Sequence, residues 1–251
     1  MLLPCGLLLL LQAAPAPPPP ALASRLHELV DGFKGQVFLY AKNLDTGASI
    51  GLREDERVRT ASTIKLAVMV EAFDRVERGE LRWDHPLTLT EASQVGGSGI
   101  LGEFAPGLRL TLQDAMHLMI VISDNTATNL VIDHLTADAV NARMDALGLT
   151  QTRLLRKVMG GGDSRAGSAP ALKRQQSHHG IGRTLTDIEI ADKTGALDAL
   201  RSDVAIVYSK RGRIAMAITV DDMPEVEWTV DNPGLLLISK LSLLLLDGLG
   251  R

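Results

Sequence analysis

The chain has 251 residues, of which 45% are hydrophobic and 22% are charged, and its formal net charge is -4. This length and apolar content allow one large domain, or two closely packed lobes, and exclude a disordered chain. The 26 basic and 30 acidic residues are interspersed, so the sequence lacks the basic stripe that nucleic-acid binding requires. We therefore expect no nucleic-acid partner.

The first 23 residues differ in composition from the rest of the chain. The apolar run Gly6–Leu11 precedes a proline-rich stretch and a triplet of small residues. This order is typical of a signal peptide over 1–23 that is cleaved near Ser24, although no Lys or Arg precedes Arg25. The apolar run is too short for a permanent membrane anchor. We expect a periplasmic or secreted protein without disulfides, because its one cysteine, Cys5, lies in this leader.

The predicted elements begin with a helix and two strands. Apolar residues at helical spacing predict a helix over 22–33. Gly35 then precedes a predicted strand over 36–40. The turn residues Asp45–Gly47 connect it to a second strand over 48–52.

The middle of the chain is predicted to be helical, with no strand of comparable strength. Helices are predicted, in chain order, over 64–76, 110–122, 127–135 and 137–147. Thr111 is placed to cap the second of these helices, and Gly148 is placed to end the fourth.

Strand patterns return in the last third of the chain. They cover 188–193, 204–208 and 214–220. A final helix is predicted from Asn232 and Pro233 to Leu246, because proline is favoured in the first turn of a helix.

This order of elements predicts an α/β fold of the α+β type. Residues 24–61 and 188–251 would form one mixed antiparallel sheet with packed helices, built from both termini. Residues 62–187 would form an inserted helical lobe. A substrate cleft is expected between the two lobes.

Ser62 and Lys65 lie three residues apart at the start of a predicted helix. Their side chains therefore share a face, and the helix dipole favours negative charge near the serine. A lysine whose pKa is lowered by burial can accept the hydroxyl proton. Taken alone, however, this pattern is better explained by two ordinary polar residues on a solvated first turn.

Two further motifs stand at the boundaries of predicted elements. Ser123–Asn125 falls between two helices, where these residue types also serve as helix caps. Lys193–Gly195 follows a strand-like run, where lysine and threonine can bind an anion and glycine allows a ligand to approach closely. Each motif alone also has a purely structural explanation.

Together the three motifs resemble the SxxK, SDN and KTG triplets of class A β-lactamases and penicillin-binding proteins. They occur in the same order and in matching predicted contexts. The stretches at 96–101, 110–112, 123–133 and 193–207 are also similar to that family. The resemblance covers most of the chain from Leu26 to the C-terminus.

The resemblance implies a serine enzyme that opens β-lactam rings through an acyl-enzyme. Ser62 would attack the lactam carbonyl, Lys65 would take its proton, and Ser123 would pass a proton to the leaving nitrogen. Asn125 would hold Lys65 and the substrate side chain. The backbone N–H groups of Ser62 and Ala196 would form the oxyanion hole.

The same resemblance implies a substrate-binding strand. Lys193 and Thr194 would receive the substrate carboxylate, beside Gly195 and Ala196. Arg201 would reinforce this carboxylate site, although it fits a surface arginine at a strand start equally well.

The sequence departs from the family in the loop after the SDN helices. In class A enzymes this loop carries a glutamate that activates the deacylating water, but no glutamate occurs between Glu103 and Glu189. Asp163 is one methylene shorter and follows the glycine run Gly160–Gly162, so we interpret it as a loop residue. The interval between the SDN and KTG motifs is also short, which predicts a reduced helical lobe.

Three functions remain open at this point. The chain is a β-lactam hydrolase, a penicillin-binding or peptidase-like protein that deacylates poorly, or a non-catalytic remnant; esterase activity is compatible with the first two. His178 and His179 are adjacent rather than at ligand spacing, so we expect no metal, and nothing indicates a nucleotide cofactor. We expect a monomer that takes a small β-lactam substrate.

Overall fold

The computed structural model describes residues 20–158 and 178–250. Its helices are α1 (Pro20–Val30), α2 (Lys65–Glu77), α3 (Leu112–Val121), α4 (Asn125–Leu135), α5 (Ala137–Ala146) and α6 (Pro233–Leu249). Its strands are β1 (Gln36–Asn43), β2 (Ser49–Leu52), β3 (Pro86–Thr88), β4 (Arg109–Thr111), β5 (Glu189–Leu197), β6 (Leu200–Ser209) and β7 (Gly212–Asp221).

Five of these strands form one antiparallel sheet in the order β2-β1-β7-β6-β5. The first strands of the chain pair with the last one, since Val37 lies opposite Val220 in the register of β1 and β7. Helices α1 and α6 contact each other and share a hydrophobic core with this sheet. These observations confirm the predicted α+β fold with a sheet built from both termini.

The second hydrophobic core lies among helices α2 to α5. Met119, Ile120 and Leu135 are among its fully buried side chains. A short two-stranded sheet, β3 with β4, adjoins these helices, and the residue pattern did not predict it. Each of the two strands has only three residues, which is too short for an alternating pattern to reveal.

Two helices start at the predicted residues, and a polar side chain caps each of them. The Thr111 hydroxyl accepts a hydrogen bond from the Asp114 N–H, and the Asp114 side chain accepts one from the Thr111 N–H. The Asn232 side chain likewise accepts the Gly234 N–H at the start of α6, where Pro233 is the first helical residue. The Thr111 cap was predicted from its residue type, and the last helix was predicted to start at Asn232 and Pro233.

One strand boundary differs from the prediction in a way that affects the site. Strand β5 continues to Leu197, so Lys193–Gly195 lies inside the strand rather than at its end. The strand is longer than its apolar run because β6 pairs with it along its whole length, from Glu189 to Leu197.

Part of the predicted chain organisation lies outside the described residues, namely most of the leader and Asp163 with its glycine run. Pro20, near the end of the predicted leader, begins α1. The leader and the division at 61/62 and 187/188 stay predictions. Among the described residues, no helix has the length and apolar character needed to cross a bilayer.

Candidate active site

Ser62 lies in a 3-10 turn, Ala61–Ile64, that leads directly into α2. The residue before it, Ala61, has a φ of 47°, which is in the left-handed region. The turn is closed by the Thr63 N–H and hydroxyl, which both donate to the Thr60 carbonyl, at 3.1 and 2.6 Å. This geometry places Ser62 at the amino end of α2, where the helix dipole favours an oxyanion.

Lys65 is the first residue of α2, and its side chain is fully buried. Its amine donates to the Ser123 carbonyl at 2.6 Å, to Ser123 Oγ at 2.9 Å and to Asn125 Oδ1 at 2.8 Å. Burial lowers the pKa of Lys65 to about 7, against a smaller opposing effect of Asp124. Lys65 can therefore be a neutral base near neutral pH.

Ser123 stands at a strained point between α3 and α4. Its φ is 53°, a left-handed conformation that costs free energy in a residue other than glycine. Asp124 then caps α4 through the Ala127 N–H and also accepts the Ile100 and Leu101 N–H groups. The carboxylate thus fixes the conformation of the SDN turn and attaches it to the neighbouring loop.

That loop, 96–101, holds Asn125 from its other side. The Asn125 amide donates to the Gly96 carbonyl at 3.2 Å, and its backbone N–H donates to the Ser98 carbonyl at 2.9 Å. Gly99 has a φ of 103°, and a Cβ there would lie 2.2 Å from the Asp124 carboxylate. Glycine is therefore required at that position of the loop.

Lys193, on strand β5, also contacts Ser123. It is fully buried, and its amine donates to Ser123 Oγ at 3.2 Å and to the Thr194 carbonyl at 2.6 Å. Burial lowers the pKa of Lys193, and the nearby Lys65 lowers it further, while Asp203 and Asp192 oppose this. The SxxK, SDN and KTG motifs therefore meet at one hydroxyl group.

Two carboxyl groups that were not predicted as site residues lie buried next to Lys193. Asp192 precedes it on β5, and Asp203 lies opposite Thr194 on β6. Neither Asp192 oxygen has a hydrogen-bond partner among the described residues, whereas Asp203 accepts the Ile181 N–H at 2.8 Å. Burial raises the pKa of both groups, which favours their neutral forms.

Gly195 brings β5 against the nucleophile turn. A Cβ at this position would lie 2.9 Å from the Thr60 carbonyl oxygen and 3.1 Å from the Ser62 nitrogen. Ala196, the next residue, lines the same pocket as Ser62. The absent side chain therefore allows the close approach of the strand backbone to Ser62.

Arg201 is buried and bound to backbone carbonyls. Its guanidinium donates to the Leu197 and Leu200 carbonyls, both at 2.7 Å, and to the Glu227 carbonyl. It also stacks on the Trp228 ring, with its central carbon 4.6 Å from the ring centroid. These contacts connect β6 to the loop before α6, and the role of Arg201 at a carboxylate site stays a prediction.

A pocket of about 350 Å³ opens beside these groups, within the range of small-molecule sites. Its lining includes Ser62, Lys65, Asn125 and Ala196, together with the segment 153–158. This arrangement combines a serine, a buried amine and backbone N–H groups, which is what acyl transfer requires. No cluster that could hold a metal occurs in the part of the chain that the structure describes.

The wall formed by segment 153–158 is attached to α4 through Asn129, which sequence reasoning missed. The Asn129 amide donates to the Val158 carbonyl at 3.1 Å, and its oxygen accepts the Val158 N–H at 3.0 Å. Asn129 lies one helical turn after Asn125, on the same face of α4. That spacing is the signal that could have identified it.

Comparisons with known proteins identify the family of the chain. A family model described as the β-lactamase enzyme family matches residues 21–171 and 163–249. A β-lactamase from Rhodobacter capsulatus is 25% identical over 249 residues, 86% of this chain and 85% of that protein. The β-lactamase SME-1 from Serratia marcescens is 25% identical over 136 residues, but this match covers 53% of this chain and only 46% of that protein.

Solved structures are similar over nearly the whole fold. A β-lactamase from Sphaerobacter thermophilus is 28% identical with a TM-score of 0.78, covering 91% of this chain and 97% of that one. PBP-A is 25% identical with a TM-score of 0.83, covering 93% and 97%. A mutant of PBP-A in acyl-enzyme complex with penicillin G has a TM-score of 0.81 at 25% identity, covering 93% and 98%. The chain therefore belongs to the β-lactamase enzyme family, as its three motifs predict.

Proposed function

We propose that this protein is a serine hydrolase that opens β-lactam rings through an acyl-enzyme on Ser62. The observation that carries this proposal is the Lys65 amine, which is fully buried and contacts both Ser123 and Asn125 beside the pocket that Ser62 lines. A buried amine with a lowered pKa beside a serine in a pocket is typical of a general base.

In the proposed acylation step, the proton and the electron pairs move as follows. The Ser62 oxygen attacks the lactam carbonyl carbon while its proton passes to the neutral Lys65 amine. The carbon–nitrogen bond of the ring breaks, and the ring nitrogen takes the Ser123 hydroxyl proton. Lys65, which lies 2.9 Å from Ser123 Oγ, then returns a proton to Ser123.

The substrate would be held on both sides of the scissile bond. The Ser62 and Ala196 N–H groups supply the oxyanion hole, since Gly195 allows β5 to approach the Ser62 nitrogen. Lys193 and Thr194 supply a cation and a hydroxyl for the ring carboxylate. The Asn125 amide holds the acyl side chain.

A second candidate function is a penicillin-binding protein whose acyl-enzyme persists. The observation that favours it is the composition of the pocket wall: among the described lining residues, none has a carboxylate, and Val158 occupies the wall fixed by Asn129. Without a group that activates water, the ester on Ser62 would be hydrolysed slowly. The penicillin G acyl-enzyme of the PBP-A mutant indicates that a fold of this type can hold such an ester.

The mass of the intact protein during a time course with benzylpenicillin tests both functions. We expect a covalent adduct with the wild type and none with Ser62→Ala. Ser49→Ala, a serine on β2 outside the pocket, is the matched control and should be acylated like the wild type.

The fate of the adduct then separates the two candidates. An adduct that forms and clears, with release of the ring-opened product, supports the hydrolase. A persistent adduct supports the penicillin-binding alternative. If no adduct forms at any concentration, the proposal is wrong and the motifs are those of a non-catalytic family member.

Export to the periplasm or outside the cell is part of the proposal. It rests on the composition of the first 23 residues. Determination of the N-terminal residue of the exported protein would test it, with Ser24 as the expected first residue.

A further inference from the structure

The pocket beside Ser62 is lined by an excess of cationic side chains. Arginines or lysines supply 5 of its 15 lining residues, and none of the described lining residues is acidic. Lys65 is the buried one of the five, and the others stand nearer to solvent: Arg59, Arg153, Arg156 and Lys157.

Three of these outer cations are paired with carboxylates that do not line the pocket. Arg59 donates to Asp221 at 2.9 Å, and Arg153 donates to Asp145 at 2.6 Å. Lys157 forms an ion pair with Asp133. Arg156, by contrast, has no hydrogen bond or ion pair with any residue in 20–158 or 178–250. Its guanidinium is therefore the cation that is available to a ligand.

The backbone that carries Arg156 is fixed on both sides. Two residues before it, Leu154 exchanges two hydrogen bonds with the Asn141 side chain, at 2.8 and 3.1 Å. Two residues after it, Val158 exchanges two with Asn129, at 3.0 and 3.1 Å. Four hydrogen bonds from two helices thus hold the segment against the pocket. The position of Arg156 is built into the fold.

The side of the pocket on which Arg156 lies identifies the part of the substrate it would contact. Asn129 stands one turn after Asn125 on α4, so the segment adjoins Asn125 rather than Lys193. In the proposed function, Lys193 receives the ring carboxylate and Asn125 the acyl side chain. Arg156 would therefore contact the outer part of the acyl side chain.

We propose that Arg156 makes this site selective for β-lactams whose acyl side chain carries a second anionic group, such as a carboxylate. The inference rests on the proposed function. A guanidinium binds a carboxylate through two parallel N–H donors, a geometry that a lysine does not offer. Because Arg156 is exposed, we expect a preference of about three- to fivefold, typical of a solvent-exposed ion pair.

Three penicillins that differ at one carbon provide the test. Benzylpenicillin has a neutral side chain, carbenicillin adds a carboxylate to it, and ampicillin adds an ammonium group at the same carbon. The second-order rate constant of acylation is measured for each with the wild type, Arg156→Gln and Arg109→Gln. Arg109 is an exposed arginine on β4 outside the pocket, so its variant is the matched control.

We expect the acylation rate constant of carbenicillin, divided by that of ampicillin, to fall about three- to tenfold in Arg156→Gln. In Arg109→Gln this ratio should stay at the wild-type value. In the wild type, 0.5 M NaCl should reduce the same ratio, because salt screens exposed charges. An unchanged ratio in Arg156→Gln, with benzylpenicillin still acylating Ser62, overturns this inference and leaves the proposed function intact. Absence of acylation by all three penicillins overturns both.

Discussion

Lys65 and Lys193 donate to the same oxygen atom, Ser123 Oγ, at 2.9 and 3.2 Å, although both lysines are fully buried. Two ammonium groups this close would repel each other strongly in a medium of low dielectric constant. Burial lowers the pKa of both, and the proximity of Lys65 lowers that of Lys193 further. Since the Ser123 oxygen accepts from both amines, its hydrogen is left for a third direction, such as a leaving group.

The first prediction concerns the pH dependence of acylation. The pKa of Lys65 is lowered to about 7, so the neutral amine predominates above pH 7 and the ammonium below it. The acylation rate constant for benzylpenicillin should therefore rise with pH and reach half of its plateau near pH 7. Rapid-quench mass measurements from pH 5 to 9 would check this.

Lys65→Arg is the control for that profile, because arginine keeps its charge at every pH tested. Its acylation should be slower by a factor of about 100 or more and should not show the step near pH 7. A wild-type profile that is flat between pH 6 and 8 would rule out Lys65 as the base.

The second prediction concerns the glycine of β5. In Gly195→Ala the new Cβ would lie 2.9 Å from the Thr60 carbonyl oxygen and 3.1 Å from the Ser62 nitrogen, so the strand must move away from the nucleophile turn. We expect acylation to slow about tenfold or more, with a loss of about 1–2 kcal/mol in the free energy of unfolding.

Gly51→Ala on β2 is the matched control. The three atoms nearest to a Cβ there belong to the side chain of Glu54, which is exposed and can turn aside. Acylation in this variant should match the wild type. Equal acylation rates in the two alanine variants would mean that the approach of β5 to Ser62 does not matter for the reaction.

The third prediction concerns the wall of the pocket at Val158. The described lining offers no carboxylate to activate water, and Asn129 fixes the Val158 backbone with two hydrogen bonds. Val158→Glu would add a carboxylate there and should shorten the lifetime of the penicillin adduct by about tenfold or more. The decay of the adduct mass after removal of free penicillin measures this lifetime.

Val158→Gln is the control, because glutamine has nearly the same size and polarity as glutamate but cannot take a proton from water. Its adduct should last as long as that of the wild type. If both variants shorten the lifetime equally, the effect comes from altered packing and not from general base catalysis.

The fourth prediction concerns the buried carboxyl group of Asp192. Burial raises its pKa in the folded protein, so the folded state binds a proton that the unfolded state releases. Its contribution to stability is therefore complete below about pH 4 and is lost as the pH rises. Asp192→Asn should raise the free energy of unfolding at pH 8 by on the order of 1–2 kcal/mol and have little effect near pH 4.

Asp45→Asn should lower the stability at both pH 8 and pH 4. Hydrogen bonds from the Arg213 side chain and backbone lower the pKa of Asp45, so the carboxylate stabilises the folded state at pH 8, and this contribution is lost only as the pH falls below 4, through the lowered pKa. Urea denaturation of both variants at pH 4 and pH 8 would compare the two signs. A loss of stability at pH 8 in Asp192→Asn would show that its charged form is the one the fold requires.

Local residue patterns predicted much of this fold. The cap at Thr111 and the start of the last helix at Asn232 and Pro233 depend on neighbours within three residues, and the structure confirms both. The SxxK, SDN and KTG motifs were expected to converge, and Lys65 and Lys193 do meet at Ser123.

The features that sequence reasoning missed depend on distant partners. Asn129 binds Val158, 29 residues further along; its spacing from Asn125 indicates the face of the helix on which it lies but not the residue that it binds. The sequence around Asp192 and Asp203 does not indicate that these aspartates are buried. They lie buried in the paired strands β5 and β6. For the same reason the sequence could not indicate that Arg201 binds the carbonyl of Glu227.

Ala61 and Ser123 are both held in the left-handed region, next to the nucleophile and at the meeting point of the two lysines. Such conformations persist only where the surrounding contacts enforce them. Substitutions that relax these two turns would be favoured in a laboratory selection for heat resistance alone. Thermostable variants obtained in this way should therefore lose acylation first, and selection for both properties should leave positions 61 and 123 unchanged.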